Sequence, residues 1–310
     1  MDAINSSSFF HYRSNKDDFY KIIKKGFSFR YSFEPLGATF AKANKASKRH
    51  HSKSSIIDNE TKGIAMPMVC FCDIPLLRAT KHRNNYGDFC IGVDKDMMIK
   101  RFSPIINPIF YVSSEAVKQG FEELVALKRE LQPTFEEIKK VDDNSEGITD
   151  LSDLWSLIKK PDVQPIVNKG MQYFKVYFSL MQYMALCKTY NGKNYKGEDV
   201  CFYDEREWRV FFYDLGKTKW VYDTTSSDFE KIRHVRNKDL EKIKFFQTII
   251  RPDDVDRIIS HIIVPSEKDV PDIIKEIIKS RTIFGHHMSM EKKRLIISRV
   301  TSFERIEKDY

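Results

Sequence analysis

Two glutamates and an arginine alternate within the aromatic segment of residues 200–213. Glu205, Glu207 and Arg209 are two positions apart, so on a β-strand their side chains share one face. Charged groups are costly to bury unless they are paired. This pattern therefore predicts either a structural ion pair or the wall of a cleft, where two neighbouring carboxylates could stabilise positive charge or transfer protons.

A second group of reactive side chains lies between two short apolar runs. Residues 68–72 and 89–93 predict two buried strands. The short helical linker between them carries Arg78, Lys81, His82, Arg83 and Tyr86. Such a linker beside a rigid sheet could form one wall of a site for an anionic ligand that bears a ring, although side chains that are simply solvated would give the same pattern.

Composition and charge bound the class of protein. The chain has 310 residues, 41% of them hydrophobic, which is enough to bury a sizeable core. A formal charge of +8 and a pI near 9.0 favour a polyanionic partner such as RNA or DNA. Part of the excess is local: residues 42–53 are basic without any acidic residue, and they could be a phosphate-contacting loop or only a solvated one.

The sequence also bears on location, redox state and metal binding. The first residues lack the basic and apolar regions of a signal peptide, and no apolar run approaches the roughly 18 residues of a membrane span, so we expect a cytoplasmic protein with no membrane contact. Five cysteines, mostly in strand-like apolar runs, favour reduced thiols over disulfides. Cys70 and Cys72 lack a second pair of ligands at zinc-finger spacing, so we predict no metal site.

The remaining patterns predict the α+β fold class. Ser14 is expected to cap a helix whose apolar stripe is Phe19, Ile22 and Ile23 and which ends at Gly26. Strands are predicted at 9–13, 28–32, 68–72, 89–93, 200–213, 258–264 and 294–300. We expect them to build one mixed sheet, curved or split, in a single domain of residues 1–310 with a helical insertion at about 113–195.

Three phrases of the sequence resemble the AbiGi family of phage abortive-infection proteins over most of the chain. They are Pro67-Met-Val-Cys-Phe-Cys-Asp-Ile-Pro-Leu76, the Tyr86-Gly87 pair with the following Ile91-Gly92-Val93-Asp94-Lys95, and Glu205-Arg-Glu-Trp-Arg209. That family has been labelled an antitoxin by analogy to its operon. The resemblance implies a role in phage defence, as the toxin or the antitoxin of a pair, with a cognate antitoxin or toxin protein as partner.

A more distant resemblance is to mono-ADP-ribosyltransferases of the diphtheria-toxin and PARP kind, whose three sequence blocks have counterparts here in the same order. The first block, a strand ending near a histidine before a helix, resembles His11-Tyr-Arg-Ser14. The second is an aromatic strand followed by an aromatic residue that stacks on nicotinamide. Here Phe71 replaces the usual tyrosine, and His82 or Tyr86 is the stacking candidate. The third, a strand-borne glutamate, resembles Glu205-Arg-Glu207.

This second resemblance implies a sheet of the ADP-ribosyltransferase type, with NAD as a substrate. It implies Glu207, Glu205 and His11 as catalytic residues, since a carboxylate would stabilise the oxocarbenium-like state that forms when the bond from nicotinamide to ribose breaks. The implied NAD-binding residues are His11, Tyr12, Arg13, Arg30, Phe71, His82 and Tyr86. Arg13 and Arg30 would meet the pyrophosphate through their planar donors.

Three functions remain open at this stage. The first is a toxin-like ADP-ribosyltransferase, with RNA or DNA favoured over protein as the acceptor because of the basic charge. The second is a non-enzymatic antitoxin or binding module, in which Glu205 and Glu207 are ion-pair partners of Arg206 or Arg209. The third is a metal-independent nuclease that uses His11, Arg13 and a glutamate. The sequence motifs of dinucleotide dehydrogenases, P-loop NTPases and α/β-hydrolases are absent.

Overall fold

A computed structural model describes residues 6–35, 62–112, 186–193, 198–211 and 222–309, and the single positions 130 and 183. The strands in these ranges are β1 (Ser8–Arg13), β2 (Arg30–Pro35), β3 (Lys62–Cys72), β4 (Phe89–Asp94), β5 (Ile106–Pro108), β6 (Phe110–Val112), β7 (Cys187–Thr189), β8 (Asn191–Lys193), β9 (Asp199–Cys201), β10 (Glu207–Phe211), β11 (Tyr222–Thr225), β12 (Ile259–Val264), β13 (Thr282–Ile283), β14 (His286–His287) and β15 (Val300–Ser302).

The helices of the same ranges lie mainly before and after the central strands. They are α1 (Lys16–Lys25), α2 (Thr80–Tyr86), α3 (Lys95–Phe102), α4 (Ser226–Leu240), α5 (Phe245–Ile249), α6 (Val255–Ile258), α7 (Val270–Lys279), α8 (Met290–Ile297) and α9 (Phe303–Asp309), with short 3₁₀ turns at Leu76–Arg78, Phe202–Glu205 and Glu267–Asp269. Within this part of the chain, no helix is long and apolar enough to cross a membrane.

Nine strands of the described ranges form one mixed sheet. Its order is β15-β12-β4-β1-β3-β10-β5, and both β2 and β11 pair with β3. Strands β12 and β15 are parallel, whereas the other pairs in this sheet are antiparallel. The predicted α+β class and mixed sheet are therefore confirmed. The finer prediction, a sheet of the ADP-ribosyltransferase type, stays a prediction.

Along one edge of β3, the partner strand changes from β2 to β1, and we call this the divided edge. On the opposite edge, β3 pairs with β10 from Met68 to Cys72. On the divided edge, β3 pairs with β2 as far as Met68, and then with β1 at a single position, where Cys72 faces Phe10. Residues 69–71 lie between two partner strands that diverge, and this gap produces the cleft in which the candidate site is found.

Helix α1 forms as its sequence predicts, with one correction at its start. The N-cap is Asn15 and not Ser14, because the Asn15 side chain accepts hydrogen bonds from two backbone N–H groups of the first turn. The predicted stripe of Phe19, Ile22 and Ile23 is buried. Gly26 ends the helix with a φ of 79°, a conformation that favours glycine.

A cluster of aromatic rings fills the core below the cleft. Phe27 makes edge contacts with Phe71, Phe246 and Phe284 at centroid distances of 5.1, 5.6 and 5.3 Å. All four rings are 2% exposed or less, so they cannot move without opening a cavity. This rigid floor holds His11, whose ring lies 5.2 Å from Phe27.

Two predicted strands are wrong. Residues 200–213 are not one strand, because a 3₁₀ turn and a left-handed residue, Arg206 with a φ of 44°, separate β9 from β10. Residues 294–300 are mostly the helix α8. Ser289 caps that helix by accepting from the Lys292 N–H, and of the apolar run Leu295-Ile296-Ile297 only Ile296 is fully buried.

The predicted helical insertion is wrong at its C-terminal end. Cys187–Thr189 pairs in parallel with Phe110–Val112, and Asn191–Lys193 pairs with Asp199–Cys201. These residues are strands because they take backbone partners there. Most of the insertion, and the basic segment 42–53, lie outside the described residues.

Candidate functional site

A cavity of about 430 Å³ opens where β1 and β3 diverge. All nine site residues predicted from the sequence line it: His11, Tyr12, Arg13, Arg30, Phe71, His82, Tyr86, Glu205 and Glu207. They come from β1, β2, β3, α2 and the entry to β10, so segments that are far apart in sequence converge here. Three further lining residues, Glu34, Cys70 and Lys188, complete the chemistry described below.

One end of the cavity holds a chain of five charged side chains. Glu207 Oε1 accepts a hydrogen bond from Arg209 Nε at 2.6 Å, and Glu207 Oε2 lies 3.0 Å from Lys188 Nζ. Lys188 Nζ also donates to Glu205 Oε2 at 2.7 Å. On the other side, Arg209 Nη2 donates to Glu34 Oε1 at 2.6 Å. Three carboxylates thus share two cations.

Burial and pairing fix the charges within this chain. Glu207 is 8% exposed and Arg209 is fully buried. Burial acts to raise the pKa of Glu207, but attraction by Arg209 and Lys188 outweighs it and holds the pKa well below its usual range. Burial likewise acts against the charge of Lys188, and here Glu207 and Glu205 raise the pKa well above its usual value. Glu207 is therefore a carboxylate and Lys188 an ammonium at neutral pH.

The pKa of Glu34 shifts in the opposite direction to that of Glu207. Burial raises its pKa, and attraction by Arg209 and Lys188 offsets only part of that effect, because Glu207 and Glu205 repel a further negative charge. The pKa of Glu34 is therefore raised, whereas that of Glu207 is lowered. A carboxyl group of this kind can take up a proton more readily than an exposed one.

The backbone around Arg206 places Glu205 and Glu207 side by side. The chain leaves the 3₁₀ turn at Glu205, turns through the left-handed conformation of Arg206, and enters β10 at Glu207. Tyr86 Oη donates to Glu205 Oε1 at 2.9 Å, and the Glu207 N–H donates to Tyr111 Oη at 2.8 Å. The two glutamates do meet as predicted, but through a turn and not through alternation along one strand.

Lys188 and Glu34 were missed by the sequence reasoning. Lys188 lies in β7, inside the segment predicted to be helical, and the parallel pair β6–β7 carries it to the start of β10. Alternation of Lys188 with half-buried Cys187 and Thr189 is too short a signal to identify it. Glu34 lies near the end of β2, and its sequence neighbours give no sign of a buried partner such as Arg209.

His11 lies in the gap between β1 and β3. Its Nδ1 is 2.8 Å from the Cys70 carbonyl oxygen, which can only accept, so Nδ1 carries the proton. Burial and the nearby Arg13 guanidinium lower the pKa of His11 well below its ordinary value. The ring is therefore neutral, and its Nε2 is a buried acceptor without a hydrogen-bond partner among the described residues. A hydroxyl donor at this position would remove that deficit.

Arg13 and Arg30 form a cationic pair beside His11. Burial and repulsion by Arg30 lower the pKa of Arg13 to about 10. Arg30 Nη2 is 3.6 Å from both Asp18 and Glu241, whereas Arg13 makes no ion pair with any residue in the described ranges. Two neighbouring guanidinium groups with so few close counter-ions favour an anionic ligand.

Aromatic side chains form the remaining wall. The His82 ring packs between Tyr12 and Tyr86, at centroid distances of 4.8 and 4.4 Å. Burial lowers the pKa of His82 to about 4, so this ring is neutral. Tyr86 is 38% exposed, whereas Phe71 is buried in the core. Among the described residues, no cluster of His, Cys, Asp and Glu could hold a metal ion.

A protein-family model matches most of the chain. Residues 42–261 match the model of a family described as "Putative abortive phage resistance protein AbiGi, antitoxin". No curated protein and no solved structure matches the chain. The matched span includes β3, α2, Lys188 and both glutamates of the site, and it begins after β1 and β2.

Proposed function

The chain belongs to the AbiGi family, and we propose that it is a phage-defence protein that binds NAD in this cleft and transfers ADP-ribose to nucleic acid. The observation that carries the proposal is the charge arrangement of the cavity. A negative cluster around Glu207 lies at one end, the cationic pair Arg13 and Arg30 lies at the other, and neutral His11 lies within the gap between the diverging strands. An anionic ligand with a reactive cationic centre matches this polarity.

The donor fits the residues in a defined order. The pyrophosphate lies against Arg13 and Arg30, whose planar guanidinium groups suit phosphate oxygens. A ribose hydroxyl donates to His11 Nε2, the acceptor that otherwise has no partner among the described residues. The nicotinamide ring stacks on the partly exposed Tyr86.

The carboxylates then act on the reacting carbon. As the bond between ribose C1′ and the nicotinamide nitrogen breaks, its electron pair leaves with nicotinamide and the ribose becomes oxocarbenium-like. Glu207, held ionised by Arg209 and Lys188, stabilises that positive charge. An acceptor hydroxyl or amine forms the new bond to C1′, and its proton passes to a carboxylate of the same cluster. Glu34, whose pKa is raised, suits that role.

The test measures transfer and stability together. Labelled ADP-ribose transfer to RNA, DNA and protein is compared for the wild type, Glu207→Gln and the exposed control Glu291→Gln. We expect Glu207→Gln to lower turnover by about a hundredfold or more, with NAD affinity by calorimetry nearly unchanged. The Glu291→Gln control should transfer as the wild type does.

A second variant guards against a change that only unfolds the protein. Glu207→Gln removes one negative charge from the cluster of three carboxylates and two cations, so the double variant Glu207→Gln/Lys188→Met, which also removes one cation, keeps the formal charge of the wild type. A double variant that is as stable as the wild type and still transfers ADP-ribose at the wild-type rate would exclude Glu207 from catalysis. Transfer that is absent from the folded wild type, with all three classes of acceptor, would refute the enzymatic proposal.

The second candidate function is a non-enzymatic antitoxin. The observation that favours it is that both oxygens of Glu207 are already engaged, Oε1 by Arg209 and Oε2 by Lys188, as a purely structural ion pair would be. The family description also contains the word antitoxin. Expression in bacteria separates the two. If the wild type is toxic and Glu207→Gln abolishes that toxicity, the result supports the enzyme. If the protein is harmless and neutralises the toxicity of a cognate partner protein, the result supports the antitoxin.

A further inference from the structure

A second cavity of about 360 Å³ adjoins the first. The two share His11, Arg13, Asp18, Ser28 and Arg30 as lining residues, so the cationic pair forms the passage between them. From this passage, the second cavity extends into the space between the end of α1 and residues 241–247. The proposed NAD chemistry makes no use of this extension.

The two cavities differ in charge. Six cationic side chains and two carboxylates line the second: Arg13, Lys21, Lys25, Arg30, Lys242 and Lys244, with Asp18 and Glu241. Four cationic side chains and four carboxylates line the first: Arg13, Arg30, Lys188 and Arg233, with Asp18, Glu34, Glu205 and Glu207. An excess of positive charge around a concave surface attracts and holds anions.

Part of this charge has no ion-pair partner among the described residues. Lys21 pairs with Asp18 at 3.3 Å, and Lys242 pairs with Asp239 at 3.0 Å. Lys25 and Lys244, in contrast, make no ion pair within the described ranges of the chain. Like Arg13 in the passage, they are cations that remain available to an anion.

The end of helix α1 does not oppose an anion at this place. The last carbonyl groups of a helix carry partial negative charge when they lack partners. Here the Ile22 carbonyl accepts from the Gly26 N–H, the Lys24 carbonyl from the Gly285 N–H, and the Lys25 carbonyl from Gln247 Nε2. Because protein donors engage these oxygens, the lysines dominate the local potential.

We infer that the second cavity is a phosphate-binding site that holds a backbone phosphate of the acceptor nucleic acid. Flexible lysines on a cationic surface suit phosphodiesters, which carry one charge per nucleotide. The passage at Arg13 and Arg30 connects this site to the carboxylate end of the first cavity. The identity of the phosphate carrier rests on the proposed function, whereas the phosphate site itself does not.

The test measures binding of a labelled single-stranded RNA and the matching DNA without NAD, over a series of salt concentrations. The double variant Lys25→Glu/Lys244→Glu is compared with Lys275→Glu/Lys279→Glu, which changes two exposed lysines on α7 and alters the net charge equally. We expect the first to raise the Kd at least tenfold and to reduce the slope of log Kd against log salt by about 0.7, as the loss of one phosphate contact predicts, and the control to change the Kd less than threefold.

The outcomes separate the site from the chemistry. Equal weakening by both double variants, or failure of inorganic pyrophosphate to compete with the nucleic acid, would overturn the inference. If binding depends on Lys25 and Lys244 but no ADP-ribose is transferred, the phosphate site stands and the proposed enzyme fails. If transfer to nucleic acid occurs while neither binding nor transfer changes in Lys25→Glu/Lys244→Glu, the phosphate site fails and the enzyme stands.

Discussion

Lys188 Nζ lies 3.0 Å from Glu207 Oε2, although Lys188 belongs to a two-stranded sheet and Glu207 to the nine-stranded sheet. The same amine lies 2.7 Å from Glu205 Oε2, so it is the cation that allows two buried carboxylates to be neighbours. Lys188 thus attaches the β6–β7 pair to the site, and removing its charge should affect both the stability of the fold and the ionisation of the cluster.

Replacing Lys188 with methionine should destabilise the protein. Breaking a buried ion pair leaves an uncompensated charge, so we expect Lys188→Met to lower the free energy of unfolding by about 3–5 kcal/mol in urea titrations at pH 7. The double variant Lys188→Met/Glu205→Gln removes one carboxylate as well and should lose less. If the double variant is destabilised by the sum of the two single effects, Lys188 and Glu205 are not coupled.

The stability of the fold should decrease as pH falls from about 6.5 toward 4, because His82 stays neutral in the folded state. Burial lowers the pKa of His82 to about 4 from its ordinary value of 6.5. In this window the unfolded chain binds a proton that the folded chain does not, so the free energy of unfolding falls by up to about 1.4 kcal/mol per pH unit for this group. His11, whose pKa is also lowered, acts in the same direction.

The histidine contribution can be isolated by substitution. His82→Phe should flatten the dependence of the unfolding free energy on pH between about 6.5 and 4, whereas the exposed control His234→Gln should leave it unchanged. Urea titrations at five pH values measure both slopes. Equal slopes for His82→Phe and the wild type would mean that His82 titrates normally in the folded protein.

How much of the candidate site could be predicted depends on whether the sequence pattern around each residue is local. Tyr86 could be identified from the short helical linker between two predicted strands, and His11 and Arg13 through the resemblance to ADP-ribosyltransferases; all three line the cavity. Lys188 could not be identified, because its role depends on a parallel pairing with residues almost 80 positions earlier. Periodicity within a segment carries no information about such a partner.

The two errors in the predicted strands have different physical causes. An apolar run such as Leu295-Ile296-Ile297 is compatible with a strand or with a buried helix, and the cap at Ser289 decides in favour of the helix. In contrast, the break before Glu207 depends on the left-handed conformation of Arg206, and the presence of an arginine in the sequence does not predict that conformation. A capping residue is visible in a sequence, whereas backbone strain at a non-glycine residue is not.

The left-handed backbone at Arg206 gives a prediction of its own. A φ of 44° is strained for a residue with a Cβ atom, and more so for a β-branched one. Arg206→Gly and Arg206→Val delete the same side-chain interactions, so their difference reports the backbone. We expect the valine variant to be less stable than the glycine variant by about 1–2 kcal/mol in urea. Equal stability would mean that the turn relaxes to another conformation.

Gly87 should be the least replaceable glycine near the site, because of what surrounds it. It follows Tyr86 at the end of α2 with a φ of 105°, and a Cβ added there would lie 2.3 Å from the Ser14 Cα. Gly26 also has a positive φ, of 79°, but a Cβ there would meet nothing nearer than 3.6 Å. The two glycines therefore share the strain of a left-handed backbone, and only Gly87 adds a collision with another backbone segment.

Alanine at each position separates the two effects. Gly26→Ala should cost about 1–2 kcal/mol of unfolding free energy from strain alone, whereas Gly87→Ala should cost roughly 3 kcal/mol or more, because the backbone at Ser14 must move. That movement shifts Tyr86 as well, so the hydrogen bond from Tyr86 Oη to Glu205 should weaken and NAD affinity should fall in the folded fraction. Urea titrations give the first quantity and calorimetry the second. Equal losses of stability for the two variants would show that strain, and not contact with Ser14, limits position 87.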